Sequence, residues 1–272
     1  MLAVVLSLVL ATFASSSERP QDPSPRPEPL VIGETFTIAS ATLKEVRRIN
    51  VYAPAGYADS RDVRLPVLYM PDGGTAEDFL HVAGLVQIGA ANGTMRPFLL
   101  VGIENTERRR DMTGPTTNDE DRKIAPRVGG SAAFRAFIRT ELMPQIRTRY
   151  RTTGETAIVG ESLAGLFVVE TLLREPDLFD TYIAFDPSLW WNNDGLLREA
   201  KDLPGSRAKG RRLYLASSNE PELAGKTRQL AELLEQGRFP GIESQYHPMP
   251  EEQHSTIYHP AALRAFRTLF KS

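Results

Sequence analysis

Short apolar runs alternate with amphipathic stretches along the chain from residue 34 onward. Apolar runs bounded by turn residues are typical of buried strands, and apolar positions spaced three and four apart are typical of helices. The sequence therefore predicts strands over residues 34–39, 47–53, 66–70, 98–103, 156–159, 182–185, 212–216 and 243–247. It predicts helices over residues 76–91, 131–150, 166–173, 195–201, 222–236 and 260–270.

The order of these elements indicates the fold class. Residues 34–39 and 47–53 are expected to form an antiparallel pair, and the later strands are nearly continuous apolar runs separated by helices. Such strands are typical of a mostly parallel central sheet with helices on both faces. The sequence therefore predicts an α/β fold, in which active sites lie at the carboxyl ends of the strands.

Residues 1–30 follow a different pattern. Residues 2–13 are a nearly unbroken apolar run followed by small residues, although no Lys or Arg precedes the run. Its length is typical of a signal-peptide core rather than of a membrane span. The prolines that follow favour an extended conformation, which suits a linker. The sequence predicts a signal peptide over residues 1–16, a linker over residues 17–30 and one domain over residues 31–272. An uncleaved anchor or a misassigned start is the alternative.

These predictions describe an exported protein, periplasmic or secreted, whose mature chain has no membrane span. Its 272 residues are 41% hydrophobic, which suits a domain with a sizeable core. The net charge of −2 gives no reason to expect a nucleic-acid partner. Cysteine is absent, which excludes disulfides and cysteine nucleophiles. No spacing of histidines and carboxylates indicates a metal site.

The segment over residues 160–165 carries the strongest chemical signal. Its sequence, Gly-Glu-Ser-Leu-Ala-Gly, follows a predicted strand and precedes a predicted helix. A strand, a sharp turn with small residues around a serine, and a helix are the context of a nucleophile elbow. Ser162 is therefore the candidate nucleophile. Serine reacts poorly without a neighbouring base and an orienting acid, so the remaining sequence must supply both.

The candidate base is His254, in a polar loop between the last strand and the last helix. In folds with this elbow, the acid and then the histidine follow the serine along the chain. His81 precedes the serine and lies in a predicted helix, which disfavours it. His247 lies at the end of the last strand, and His259 directly precedes the closing helix, where a surface role suits it.

The candidate acid follows the strand over residues 212–216. Glu220 and Glu222 are both within reach in the sequence. Glu222 directly follows a proline and could equally be a first-turn carboxylate that the helix dipole favours. Glu220 is preferred because it precedes the helix and is freer to turn toward the histidine.

Backbone amides and nearby side chains complete the predicted site. An oxyanion hole needs two N–H donors, expected from Leu163 and from Gly73 or Gly74, although the two glycines could simply form a turn. A long charged connection over residues 104–130 and the loop after residue 185 are expected to shape the pocket, with core packing an equal alternative for the tryptophans. The predicted pocket residues are Glu161, Arg108, Arg110, Asp186, Trp190 and Trp191.

Several stretches together resemble the Putative esterase family of α/β-hydrolases, which includes D-type esterases and siderophore trilactone esterases. The stretches are residues 67–73, 101–106 with 108 and 110–113, 160–165, 186–191 and 254–256. Two positions depart from the family pattern. Ala164 replaces the second glycine of the elbow, and Asp186 stands where many relatives carry a serine.

The resemblance implies an α/β-hydrolase fold that hydrolyses small carboxylic esters without a metal or an organic cofactor. It implies Ser162 as the nucleophile and His254 as the base. Some trilactone esterases work with a Ser-His pair alone, so the acid stays open. An acyltransferase that passes the acyl group to an alcohol, or a binding module without catalysis, is the alternative.

Overall fold

Eight strands form one central sheet in the computed structural model, which describes residues 27–202, 210–237 and 239–272. The sheet order is β1-β2-β4-β3-β5-β6-β7-β8. The pairs β1–β2 and β2–β4 are antiparallel, and all the other neighbours are parallel. The strands are β1 Glu34–Ser40, β2 Glu45–Tyr52, β3 Leu65–Met70, β4 Leu99–Ile103, β5 Thr152–Glu161, β6 Thr181–Phe185, β7 Arg211–Ser217 and β8 Ile242–Pro248. The predicted mostly parallel sheet is confirmed.

Helices connect the parallel strands. A π-helical segment, Ile138–Leu142, joins α4 to α5 where the sequence predicts one helix. The helices are α1 Phe79–Ala91, α2 Arg108–Met112, α3 Asp119–Lys123, α4 Ser131–Phe137, α5 Met143–Arg149, α6 Leu163–Arg174, α7 Trp191–Asp202, α8 Pro221–Glu235 and α9 Tyr258–Leu269. The five-residue helices α2 and α3 lie in the connection for which the sequence predicts no regular element.

Both faces of the sheet are covered. Side chains alternate along a strand, so Val67 and Tyr69 of β3 lie in one apolar cluster while Leu68 and Met70 lie in another. The first cluster includes buried residues of α4 to α8, and the second includes those of α1 and α9. This two-sided burial explains why the central strands are continuous apolar runs in the sequence.

Residues Gly33–Ser272 form one compact unit. The predicted signal peptide and most of the predicted linker lie outside the described residues. Residues 27–32 are exposed and have no regular secondary structure. None of the helices in the described ranges has the length and apolarity needed to cross a membrane.

Candidate active site

The turn between β5 and α6 holds Ser162 in a strained backbone conformation, with φ of 58° and ψ of −118°. Small neighbours make this turn possible. A Cβ on Gly160 would lie 2.7 Å from the backbone of Ala164, and a Cβ on Gly165 would lie 2.9 Å from the carbonyl oxygen of Phe185. The glycines therefore let the helix start directly above the sheet, which presents the serine side chain at the carboxyl end of β5.

Two hydrogen bonds join this serine to a buried carboxylate through a histidine. His254 Nε2 lies 3.2 Å from Ser162 Oγ, and His254 Nδ1 lies 3.0 Å from Asp186 Oδ2. The backbone N–H of Ser218 donates to the other carboxylate oxygen of Asp186 at 2.7 Å, and the Asp186 side chain has no solvent exposure. This is the geometry of a serine nucleophile, a general base and an orienting acid.

The acid in this arrangement is not the one that the sequence predicts. Glu220 is the exposed N-cap residue of α8, and Glu222 lies in the first turn of that helix, 3.6 Å from Lys226 Nζ. Neither forms a hydrogen bond to His254 among the described residues. Asp186, predicted as a pocket wall, is instead buried against the histidine. The loop after β6 is closer to the serine than the loop after β7, because β6 pairs directly with β5.

Glu161, the last residue of β5, also contacts the histidine instead of only lining a pocket. Its Oε1 lies 3.0 Å from His254 Nδ1, and its side chain is only 16% exposed. Burial raises the pKa of Glu161 to about 7, against the opposing attraction of His254 and Arg108. The hydrogen bond that His254 donates to Asp186 raises the pKa of His254, with burial acting against it and the negative charge of Glu161 acting in the same direction.

The backbone donors only partly match the predicted oxyanion hole. Leu163 is the first residue of α6, where amide protons have no acceptor within the helix. The Gly73 amide donates to the Ile103 carbonyl at 3.0 Å, and the Gly74 amide donates to Glu77 Oε2 at 2.7 Å. Both predicted glycine donors are therefore engaged, which corrects that prediction. Gly73 is needed for close packing, since a Cβ there would lie 2.3 Å from Gly102 Cα.

The two predicted pocket arginines have different surroundings. Arg108 forms a two-pronged ion pair with Asp72, at 2.7 and 2.9 Å, and its charge acts on nearby Glu161. Arg110 instead pairs with Glu45 and Asp111, in a network that includes the buried Arg47. Arg110 therefore holds α2 against β2.

An open cavity of about 460 Å³ lies beside Arg108. Residues of α2 and of the segment that follows α3 line this cavity, and four of the lining residues are arginines. The lining residues are Glu107, Arg108, Arg109, Arg110, Ile124, Ala125, Pro126 and Arg127. The volume suits a small ligand. Three of the arginines are already paired with carboxylates, and Arg109 donates to the Ile124 carbonyl.

The predicted pocket tryptophans pack against the core. Trp191 is buried, and its indole N–H donates to the Gly114 carbonyl at 2.8 Å, which anchors the connection between β4 and α4. Trp190 is partly exposed and packs against the apolar cluster that contains Val67 and Tyr69. For Trp191, core packing is the reading that the structure favours.

The remaining histidines have other neighbours. His81 and His259 contact each other at 3.4 Å, and His247 stacks on Tyr214. Among the described residues, one group of metal-ligating side chains brings candidate ligand atoms within 4.8 Å of one another, namely Glu161, Asp186 and His254. A cation there would have to displace the Nδ1 proton that bonds to Asp186.

Comparisons with known proteins find esterases similar to this chain. The sequence model of the family described as Putative esterase matches residues 40–260. Ferri-bacillibactin esterase BesA of Bacillus subtilis is 28% identical over 242 residues, covering 79% of this chain and 79% of that protein. Siderophore triacetylfusarinine C esterase of Aspergillus fumigatus is 32% identical over 198 residues, covering 65% of this chain and 63% of that protein.

Solved structures include a similar chain. An IroE-like serine hydrolase from Shewanella oneidensis has a TM-score of 0.79 and 30% sequence identity to this chain, covering 88% of this chain and 80% of that one.

Proposed function

Because this chain belongs to the Putative esterase family and is a carboxylic ester hydrolase, we propose that it works through an acyl-enzyme on Ser162, with His254 as the general base and Asp186 as the orienting acid. The observation that carries the proposal is the continuous line of contacts from Ser162 Oγ through both ring nitrogens of His254 to Asp186. The strained turn at the serine supports it, because such turns are held only where the surrounding structure enforces them.

The reaction has two halves. His254 Nε2 takes the proton of Ser162 while Oγ attacks the ester carbonyl carbon, and the amide of Leu163 donates to the developing oxyanion. The imidazolium then gives its proton to the leaving alcohol, and the acyl group stays on the serine. In the second half, His254 activates water in the same way, and the acid product leaves with the free serine restored. Asp186 keeps the Nδ1–H tautomer and stabilises the imidazolium.

We infer that the substrate is a siderophore-type ester. The two sequence relatives named above, ferri-bacillibactin esterase and siderophore triacetylfusarinine C esterase, act on such esters, and the cavity beside Arg108 has the volume for a small ligand. Hydrolysis rates measured for a panel of siderophore lactones, peptide esters and simple alkyl esters test this. A preference for alkyl esters over every siderophore lactone would contradict it.

The nucleophile is tested by Ser162→Ala. We expect turnover of a chromogenic short-chain ester to fall by about 10⁶-fold, as when the nucleophile of a serine protease is removed. The same variant should lose covalent labelling by a fluorophosphonate probe. The exposed Ser272→Ala is the matched control and should behave as the unmodified enzyme. Hydrolysis that survives unchanged in Ser162→Ala would sink the proposal.

Export is part of the proposed function. The apolar run over residues 2–13 and the small residues after it motivate this. Expression in a Gram-negative host, followed by N-terminal sequencing of the periplasmic fraction, should find a chain that starts near residue 17. A protein that stays in the cytoplasm with residues 1–16 attached would contradict export.

A further inference from the structure

Two carboxylate oxygens lie at the same distance from one nitrogen atom. Asp186 Oδ2 and Glu161 Oε1 are each 3.0 Å from His254 Nδ1. A single N–H can form only one well-aligned hydrogen bond, and the alignment favours Asp186. Glu161 Oε1 is inaccessible to solvent and has no hydrogen-bond partner among the described residues. The histidine therefore has one acceptor in use and a second acceptor beside it.

An unpartnered buried carboxylate oxygen is unfavourable, so a reason is needed for its position. One reason is the backbone, which fixes the position of Glu161 because this residue ends β5 and the elbow starts at the next residue. A second reason is chemical. When Ser162 loses its proton, His254 becomes an imidazolium, and a nearby carboxylate stabilises that charge.

We propose that Glu161 is a second acid partner of His254, a positioning residue that balances the imidazolium charge and accepts the Nδ1–H hydrogen bond when Asp186 cannot. The inference rests on the proposed function, since it acts through the same base. It differs from a pocket-wall role, which would affect substrate binding without changing the histidine.

Charged groups from several elements face Glu161. They are His254 from the loop before α9, Asp186 after β6, Asp72 after β3 and Arg108 of α2. Tyr258 of α9, whose pKa burial raises well above its usual value, is an uncharged neighbour. The negative charge of Glu220 also raises the pKa of His254. Ionised Glu161 raises the pKa of His254. Removing that charge should therefore keep His254 neutral, and able to act as a base, at lower pH.

The test is a double-mutant cycle of Asp186→Asn and Glu161→Gln, with kcat/KM followed from about pH 5 to about pH 9. Alone, Glu161→Gln should move the acid limb of the profile to lower pH. In the Asp186→Asn background, its effect on kcat should be about 10-fold larger than in the unmodified enzyme, because the second acceptor is then the one in use. Exposed Glu232→Gln is the matched control and should move neither quantity.

Equal effects of Glu161→Gln in both backgrounds, or an acid limb that does not move, would overturn the inference. The acid-limb measurement needs only the single variant, so it stands even if the double variant does not fold. Fluorophosphonate labelling separates this inference from the proposed function. If the unmodified enzyme neither turns over esters nor is labelled at Ser162, the proposed function fails. If the unmodified enzyme hydrolyses esters and is labelled at Ser162, but the effects of the two substitutions simply add, only the proposed role of Glu161 is wrong.

Discussion

Two hydrogen bonds hold Asp186 in place, in addition to the one with His254. One of its carboxylate oxygens accepts from the backbone N–H of Ser218, and the backbone N–H of Asp186 donates to the Ala216 carbonyl at 2.9 Å. Its φ of 40° is unusual for a residue with a side chain. A serine at this position, as in many relatives of the resembled family, could not supply a negative charge. The identity of this one residue therefore decides whether the loop after β6 provides an acid.

The first residue-scale prediction compares two candidate acids. Asp186→Asn should lower kcat by about 10²- to 10³-fold, less than the about 10⁴-fold typical of a triad acid, because Glu161 remains beside the histidine. Glu220→Gln should change kcat by less than about twofold, since it affects His254 only through its charge. Steady-state kinetics at about pH 8 measures both. The reverse ranking would return the role to Glu220.

A second residue-scale prediction concerns stability and pH. Burial raises the pKa of Glu161 from 4.5 to about 7, so the folded state holds this proton more tightly than the unfolded chain. The linked stability is fully present below pH 4.5 and is lost as pH rises to about 7. Glutamine does not ionise, so Glu161→Gln should gain about 1 to 3 kcal/mol relative to the unmodified protein between about pH 4 and about pH 8.

Urea unfolding at both pH values measures that gain as the change in the free energy of unfolding. Glu232→Gln, on the exposed side of α8, should show no such pH-dependent difference. If Glu161→Gln and the unmodified protein differ by the same amount at both pH values, Glu161 is not ionising in this range.

At the scale of elements, the junction of β5 and α6 depends on glycines, because it has no room for a Cβ atom at these positions. Gly160→Ala would place a Cβ 2.7 Å from the Ala164 backbone, where no soft side chain can give way. We expect a loss of about 1 to 3 kcal/mol in the free energy of unfolding, and a larger loss of activity because α6 carries the Leu163 amide.

Gly225→Ala is the matched control for this substitution. Gly225 lies inside α8, and a Cβ there meets nothing within 4 Å. It should stabilise the protein by up to about 1 kcal/mol, because alanine favours a helix. Thermal melts and ester turnover distinguish the two variants. A Gly160→Ala enzyme that melts and works like Gly225→Ala would show that the elbow has room to relax.

At the scale of the whole molecule, Gly33–Ser272 should carry both the fold and the activity. Residues 27–32 are exposed and precede β1. A chain of residues 31–272 should therefore keep the Tm of the longer protein within about 2 °C and keep its kcat/KM. Calorimetry and ester kinetics on both chains test this. A clear drop in Tm would mean that the earlier residues contribute to the folded domain.

Much of this molecule follows from local sequence patterns. Every predicted strand is present, and the central ones are easy to identify because strands of a covered parallel sheet must be apolar on both sides. Ser162 and His254 were found because one lies in a sharp turn and the other in the last polar loop. In the structure, Ser162 Oγ and His254 Nε2 lie 3.2 Å apart.

Other features depend on contacts that the sequence does not reveal. The side chain that contacts His254 Nδ1 comes from the loop after β6, whereas the predicted acid lies in the loop after β7, and no local pattern shows which loop reaches the histidine. The acceptors of the Gly73 and Gly74 amides are the Ile103 carbonyl at the end of β4 and the side chain of Glu77, two residues before α1. Helices α2 and α3 are too short to show periodicity.

The loop after β7 has a consequence for protein engineering. Its hydrogen bond to Asp186 comes from the Ser218 backbone N–H, a donor that every amino acid except proline provides. Positions 219, 221 and 222 can therefore be randomised in directed evolution with this donor retained, while Glu220, whose charge acts on His254, is kept. A library built there would search for altered ester preference in variants that have kept their chemistry.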